Sequence, residues 1–205
     1  MNRSHNHCRS VLFAVVLLAP ALPASAQNAG GGDISAGWRL LRAMDVGIEG
    51  GSENLPAGWY ADVAVNLDEA FAIVGDVAGA YKSIEGTETA LGFTVSSKAD
   101  INIHTVLGGL RYSMRQRPQM VPFAQVLFGL AHGSANLEQS VTVAGRTTSR
   151  SESESSNEFA FDIGGGVTFA ATDRIDLRVG ASYLRIGADD GSNGLRFSVG
   201  AAFPF

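Results

Sequence analysis

The chain has 205 residues, a formal net charge of -5 and a mean hydropathy of +0.11. With 15 Lys and Arg against 20 Asp and Glu, it gives no reason to expect nucleic-acid binding. Its one cysteine, Cys8, excludes both a disulfide framework and a thiolate metal centre.

Met1 to Ala26 has the form of a cleavable signal peptide. Arg3 and Arg9 make its start positive, Val11 to Leu22 is apolar, and Ala24-Ser25-Ala26 is an A-x-A cleavage site. The apolar run is too short for a membrane helix, and Pro20 and Pro23 interrupt it. Cys8 leaves with this segment. Residues 27–32 form a short flexible lead, and residues 33–205 read as one all-β domain.

The first strand runs from about Asp33 to Arg42, with Ile34, Ala36, Trp38 and Leu40 on one face and Arg39 on the other. A Gly- and acid-rich loop, Ala43 to Pro56, precedes the second strand, Gly58 to Leu67, where Trp59, Val63 and Val65 alternate with Asp62. After the two-residue turn Asp68-Glu69, the third strand, Ala70 to Lys82, sets Phe71, Ile73, Val77 and Tyr81 against Asp76. Ser83 to Ala99 is a longer polar connection, in which Leu91, Phe93 and Val95 can extend the hairpin. The fourth strand, Asp100 to Ser113, sets Ile101, Ile103, Thr105 and Leu107 against Asn102 and His104. Its alternation fails past Gly108-Gly109, where a bulge would restore the phase.

Arg115 to Gln119 is a basic turn. The fifth strand, Val121 to His132, carries Ala124, Val126, Phe128 and Leu130 on its apolar face, with Phe123 and Leu127 on the wrong side. Gly133 to Asn157 is the longest connection, and its Thr147 to Ser156 stretch reads as a solvated loop tip. The sixth strand, Glu158 to Ala170, opposes Phe159, Phe161 and Ile163 to Asp162. The seventh, Ile175 to Ile186, opposes Leu177 and Val179 to Asp176 and Arg178. The last, Gly194 to Phe205, alternates strictly and places Arg196 on its polar face.

Eight strands joined by alternately long and short connections predict an antiparallel up-and-down transmembrane β-barrel, with its short turns in the periplasm. Aromatics collect at two levels. Trp59, Tyr81, Phe159 and Tyr183 lie near one rim, and Phe71, Tyr112, Phe169, Phe203 and Phe205 near the other. Alternation does not decide which face points inward, but bulk does. Eight strands leave an interior only as wide as its side chains. The small, polar face fits there, and the face bearing Trp38, Trp59 and many Phe and Val does not. The lumen then holds Arg39, Asp62, Asp76, Asp162, Asp176, Arg178 and Arg196, with Arg111 as a further candidate. Charges so confined must pair.

Three stretches resemble the small eight-stranded outer-membrane barrels, the OmpA/OmpX-like outer membrane protein beta-barrel domain. They are Gly108-Gly109-Leu110-Arg111-Tyr112, Pro122 to Gly129, and the closing strand that ends on Phe205. The resemblance implies a bacterial outer-membrane location and surrounding outer-membrane lipids. It also implies that Phe205 serves as insertion signal to the barrel-assembly machinery, and that the role is structural or one of surface interaction. It names no ligand.

No catalytic or cofactor-binding residue emerges. His104, on the lumen face, and His132 are too few and too distant in sequence for a metal site. The last three strands contain no His, so Ser182 and Ser198 lack a base. Gly164-Gly165-Gly166 lies within a strand without a following helix or Lys, which fits close packing better than a phosphate loop. The expected function is a non-enzymatic barrel with a charge-plugged lumen, and the alternative is a porin-like small-solute channel.

Overall fold

Side-chain alternation carries strands along nearly the whole described chain. The computed structural model describes residues 31–44, 53–90, 93–117, 119–143, 146–172, 174–187 and 191–205. The signal peptide expected over 1–26 and most of the lead lie outside them.

Nine antiparallel strands form one closed sheet. They are β1 (Gly32–Met44), β2 (Glu53–Leu55), β3 (Ala57–Asn66), β4 (Phe71–Ala90), β5 (Phe93–Ser113), β6 (Met120–Val143), β7 (Arg146–Ala170), β8 (Asp176–Ile186) and β9 (Ser192–Pro204). The barrel nevertheless has eight walls, because β2 and β3 both pair with β1 and form one wall broken at Pro56. Proline has no N–H for the ladder. The register slips by one residue there, from Trp38↔Trp59 to Leu41↔Leu55, which turns Leu55 inward.

β9 closes the ring on β1 over Asp33↔Pro204 to Met44↔Asn193. Paired amides at Gly32 and Phe205 lock the end of that seam, with N···O distances of 3.0 and 2.9 Å. Partners followed once around the wall run from Ile34 through Val63, Gly75, Gly108, Phe128, Phe161, Arg185 and Asn193 to Met44. The start and end differ by 44 − 34 = 10 residues on β1. With strands ~4.8 Å apart and ~3.3 Å of rise per residue, that stagger gives a tilt of about 41° and a backbone radius of about 8 Å.

Short polar turns close one end. In the β3–β4 turn the Asp68 carboxylate accepts the N–H groups of Ala70 and Phe71, each at 2.7 Å. These bonds, that from Phe71 foremost, hold its pKa below the usual carboxylate range. Thr172 Oγ1 plays the same part for Arg174 and Ile175 before β8. At the other end β4–β5 and β6–β7 run on as paired strands, to Ala90↔Phe93 and Val143↔Arg146. The connections expected over Ser83–Ala99 and Gly133–Asn157 are therefore largely strand. The Thr147–Ser156 stretch is exposed β-strand, not a loop tip. Beyond the barrel wall β4 to β7 stand alone as a four-stranded extension, since β4 leaves β3 after Tyr81 and β7 meets β8 only from Ala160 onward.

The expected bulge at Gly108-Gly109 is absent, because β5 pairs with β4 residue for residue through both glycines. Its alternation is unbroken and opposite in phase to the reading from Ile101 and Ile103. Thr105, Leu107 and Arg111 are buried inside, while Val106, at 64% exposure, Leu110 and Tyr112 face out. His104 consequently stands on the outer wall, not in the lumen. Phe123 and Leu127, which spoiled the pattern of the fifth strand, belong inside. The Gly164–Gly166 run lies where a Cβ on Gly164 would overlap Ser182 and one on Gly166 the Val179 carbonyl, so the run lets β7 and β8 pack closely.

Candidate functional site

The lumen is filled in three tiers, and each follows from which inward position a charge occupies. Nearest the short turns, Asp62 on β3 is a hub. Its Oδ1 accepts Arg178 Nη1 at 3.1 Å and Arg111 Nη2 at 3.2 Å, and its Oδ2 accepts the Ser35 hydroxyl at 2.6 Å. Arg178 also reaches Asp33, with Nη2 to Oδ1 at 2.8 Å, and donates to Thr168. Arg111 donates to Gln125, and the Phe123 ring lies 4.9 Å from its guanidinium carbon.

In the middle tier Arg39 binds Asp76 bidentately, at 2.9 and 2.8 Å, with its guanidinium over Tyr60. Arg196 Nη1 lies 3.3 Å from Asp162 Oδ2, and its Nη2 donates to Thr105 at 2.8 Å. Ser182 donates to the same carboxylate at 2.8 Å. Its hydroxyl is thus a lumen group, turned away from lipid.

Above these lies an apolar tier, which the sequence reading did not foresee. Leu41, Ala43, Leu55, Ala80, Ala131, Ala160 and Leu184 form a buried cluster there, with Ile101, Ile103 and Ile186 packed against it. Two cavities among these side chains measure about 20 and 10 Å³, room for single waters.

Six of the seven charges expected in the lumen, Arg39, Asp62, Asp76, Asp162, Arg178 and Arg196, sit in these two networks. Asp176 is different. It lines a vestibule of about 320 Å³ at the short-turn mouth, together with Asp33, Arg111 and Arg178, and makes no hydrogen bond or ion pair to a described residue. Asp33 and Arg111 are the members that escaped a firm assignment. Asp33 was readable from its phase with Arg39. Arg111 was obscured by the phase error on β5.

The outer wall is apolar from Phe71, Tyr112 and Phe203 at the short-turn rim to Val106, Leu130 and Phe159. On β9, 203 − 193 = 10 residues separate Phe203 from Asn193, the first polar outward position. At the tilt above this is about 25 Å of height, the thickness of an outer-membrane apolar band. A polar row marks its upper limit. Trp59 Nε1 donates to Tyr81 Oη at 2.9 Å, Tyr81 Oη lies 3.1 Å from His104 Nε2, and His132 Nδ1 lies 2.9 Å from Asn157 Oδ1. His104 and His132, distant in sequence, are direct cross-strand partners. Their rings bond in opposite directions, to Tyr81 and to Asn157. Among the described residues no group of three or more His, Cys, Asp or Glu side chains could hold a metal.

Above that row the faces exchange character. The outward side of the extension carries Ser, Thr, Asn and charges, with cross-strand pairs Thr87–Ser96, Thr89–Thr94 and Thr142–Thr147 and the contact of Lys98 with Glu85. The central inward positions are Val95, Ala99, Ile101, Ala135, Leu137 and Val141, crossed by the polar pair Ser97 and Gln139.

No helix among the described residues is long and apolar enough to cross a membrane; the apolar girth of a closed sheet does so instead. An eight-walled barrel with an apolar outer band, short turns at one end and a filled lumen is an integral outer-membrane barrel of the small type. The family comparison agrees: the model for "Outer membrane protein beta-barrel domain" matches residues 11–203, and the chain belongs to that family. No curated protein sequence matches it.

Among solved structures, Ail of Yersinia pestis in complex with the heparin analogue sucrose octasulfate is similar in fold. Its TM-score is 0.58 at 22% identity, covering 86% of this chain and 99% of that one. Ail without that ligand gives 0.55 at 19% identity, over 87% and 100%. Neisserial surface protein A gives 0.44 at 16% identity, over 86% and 97%. The protein resides in the bacterial outer membrane.

Proposed function

We propose that the protein is a non-conducting, non-enzymatic barrel that holds a four-stranded surface above the outer membrane for interaction with extracellular partners. The observation that carries this reading is the contrast between the two halves of the molecule. The lumen is closed by ion pairs and then by an apolar tier, while four strands continue beyond the lipid band. Rigid scaffolds commonly carry function on what projects from them. The seven charges expected in the lumen serve the barrel by closing and bracing it, with Asp176 contributing only at the periplasmic mouth. Phe205 on the closing strand is the group the assembly machinery reads, and cleavage after Ala26 leaves residues 33–205 as the barrel.

The lumenal Ser182 and the absence of His from β8 and β9 speak against hydrolysis of lipid. Sucrose octasulfate, the ligand crystallised with Ail, is a polyanion. A polyanion does not suit this extension, where Lys82, Lys98, Arg146 and Arg150 face Glu85, Glu88, Asp100, Glu138, Glu152, Glu154 and Glu158. Planar-bilayer recording of the purified full chain tests the closed lumen. No steady conductance is expected, and salt-dependent unitary currents would replace this reading with the porin-like channel.

A further inference from the structure

A groove of about 510 Å³ crosses the outward face of the extension, and every residue that lines it is described. Its walls are two cross-strand rows. The upper wall is Thr87, Ser96, Ser140 and Ser149, one hydroxyl from each of β4 to β7. The lower wall is Glu85, Lys98, Glu138 and Ser151. The row between them, from Gly86 to Arg150, belongs by alternation to the inward face, so its backbone is the floor. No apolar side chain enters the lining. The groove is three strand spacings long, about 14 Å, and two residues wide, about 7 Å.

Much of this lining is unengaged. The Thr87 and Ser96 hydroxyls lie 3.3 Å apart, and Lys98 contacts Glu85 at 3.7 Å and Asp100 at 3.6 Å. Glu138 has no ion-pair partner among the described residues, and Ser140, Ser149 and Ser151 make no side-chain hydrogen bond to them.

Each wall hydroxyl both donates and accepts. A ligand that satisfies a row of four must carry groups of the same dual kind at about the strand spacing. A chain of pyranose rings does so, because one ring advances about as far as one strand lies from the next. A carboxylate such as Glu138 accepts from two neighbouring hydroxyls of a ring. The walls carry two carboxylates against one ammonium, which disfavours a sulfated or phosphorylated chain. Without apolar side chains they offer nothing to a lipid or an amphipathic helix. Direction sets the source. The groove runs across the strands, so at their tilt it lies about 41° from the membrane plane. A sugar chain rooted in the same membrane rises along the normal and crosses the groove, whereas one presented from outside lies along it.

We infer that this groove binds an uncharged, straight oligosaccharide of an extracellular partner. The sugar hydroxyls exchange hydrogen bonds with Ser96, Ser140 and Ser149, and the Glu138 carboxylate accepts from a neighbouring pair. This rests on the surface-interaction reading and deepens it.

The test uses the full chain in zwitterionic nanodiscs free of lipopolysaccharide. The probe is end-labelled chitohexaose, a straight and uncharged chain, read by fluorescence anisotropy against empty nanodiscs. Saturable binding that salt does not alter is expected. The double variant Ser140→Val, Ser149→Val keeps side chains suited to a strand and should weaken it about tenfold, the scale of two lost hydrogen bonds. Glu138→Gln should weaken it severalfold. Asn136→Ala with Ser153→Ala, one outward row below the groove, should leave it unchanged. Heat-modifiable gel mobility verifies that each variant is folded.

Absence of saturable binding would overturn the inference, as would equal binding by wild type and Ser140→Val, Ser149→Val, or equal binding of a sulfated hexasaccharide. Loss of the probe from the wild type when lipopolysaccharide is added to the nanodiscs would also overturn it, by making the membrane's own sugars the occupant. Conductance in bilayers would remove the parent reading while leaving these binding results interpretable by themselves.

Discussion

Replacing Asp62 with Ala removes the acceptor at the centre of the tier nearest the short turns. Asp62 is 5% exposed and accepts from Arg178, Arg111 and Ser35. Taking it away leaves two guanidiniums with Asp33 as the one described carboxylate within ion-pair distance of both. Arg111 reaches Asp33 only at 3.7 Å. One-sided removal of a buried ion-pair partner costs about 3–5 kcal/mol, mostly through the charge left behind. With a urea dependence of about 2 kcal/mol per molar for a chain of this size, the unfolding midpoint should fall by roughly 2 M. The assay is tryptophan fluorescence during urea unfolding from lipid vesicles, following Trp38 and Trp59 on the outer wall. Asp176→Ala is the internal control. It removes an inward carboxylate that has no hydrogen-bond or ion-pair partner among the described residues and should stay within about 0.5 kcal/mol. Adding Arg178→Met to Asp62→Ala should restore part of the loss, because it withdraws one stranded cation. Equal midpoints for Asp62→Ala and Asp176→Ala would refute the reasoning, since the paired and unpaired carboxylates would then be worth the same.

Asp68 offers a pH signature. Its folded pKa lies below the ordinary value, so its turn-stabilising contribution is complete above about pH 4 and disappears as pH falls through the lower folded value. The amide resonances of Ala70 and Phe71 should titrate below the normal Asp range, and a midpoint above it would contradict the bonding seen. Deleting Phe205 removes the amide pair that joins it to Gly32 at the seam. A lower folded fraction in membranes is expected, and unchanged levels would count against its role. Trypsin added to intact cells should cut after Arg146 or Arg150 while Arg115 and Arg117 stay protected; the opposite pattern would reverse the orientation.

Much of the barrel was legible in the chain because most strands obey one rule, apolar outside and small or charged inside. β1, β3, β8 and β9 keep it along most of their length, and their lumen charges could be assigned by counting in twos. β5 misled because it crosses from the extension into the membrane. Ile101 and Ile103 are inward residues of a segment whose inward side is apolar. Their phase, carried down the strand, put His104 inside and demanded a bulge at Gly108-Gly109. The same exchange of faces hid the length of β6 and β7, since a Ser- and Glu-rich stretch such as Thr147–Ser156 reads as loop when only lipid-facing strands are sought. The apolar tier was invisible for a further reason. It draws Leu41 from β1, Leu55 from beyond the Pro56 slip and Leu184 from β8, and only closure of the ring brings them together.

The lumen networks also bear on how the barrel comes into being. Arg39 on β1 finds its carboxylate on β4, and Arg178 on β8 reaches Ser35 and Asp33 on β1 and Asp62 on β3, across the closing seam. A half-built sheet carrying β1 to β5 would hold the three carboxylates of Asp33, Asp62 and Asp76 with only Arg39 and Arg111 to meet them, one cation short until Arg178 arrives on β8. Such a sheet would expose both its strand edges and its uncompensated charge to hydrocarbon, each a cost of several kcal/mol. Open intermediates are thus disfavoured, and the final pairing of β9 with β1 brings Arg178 to Asp33 and Asp62 as it removes the edges. Ring closure completes a charge compensation that Arg39–Asp76, Arg111–Asp62 and Arg196–Asp162 begin.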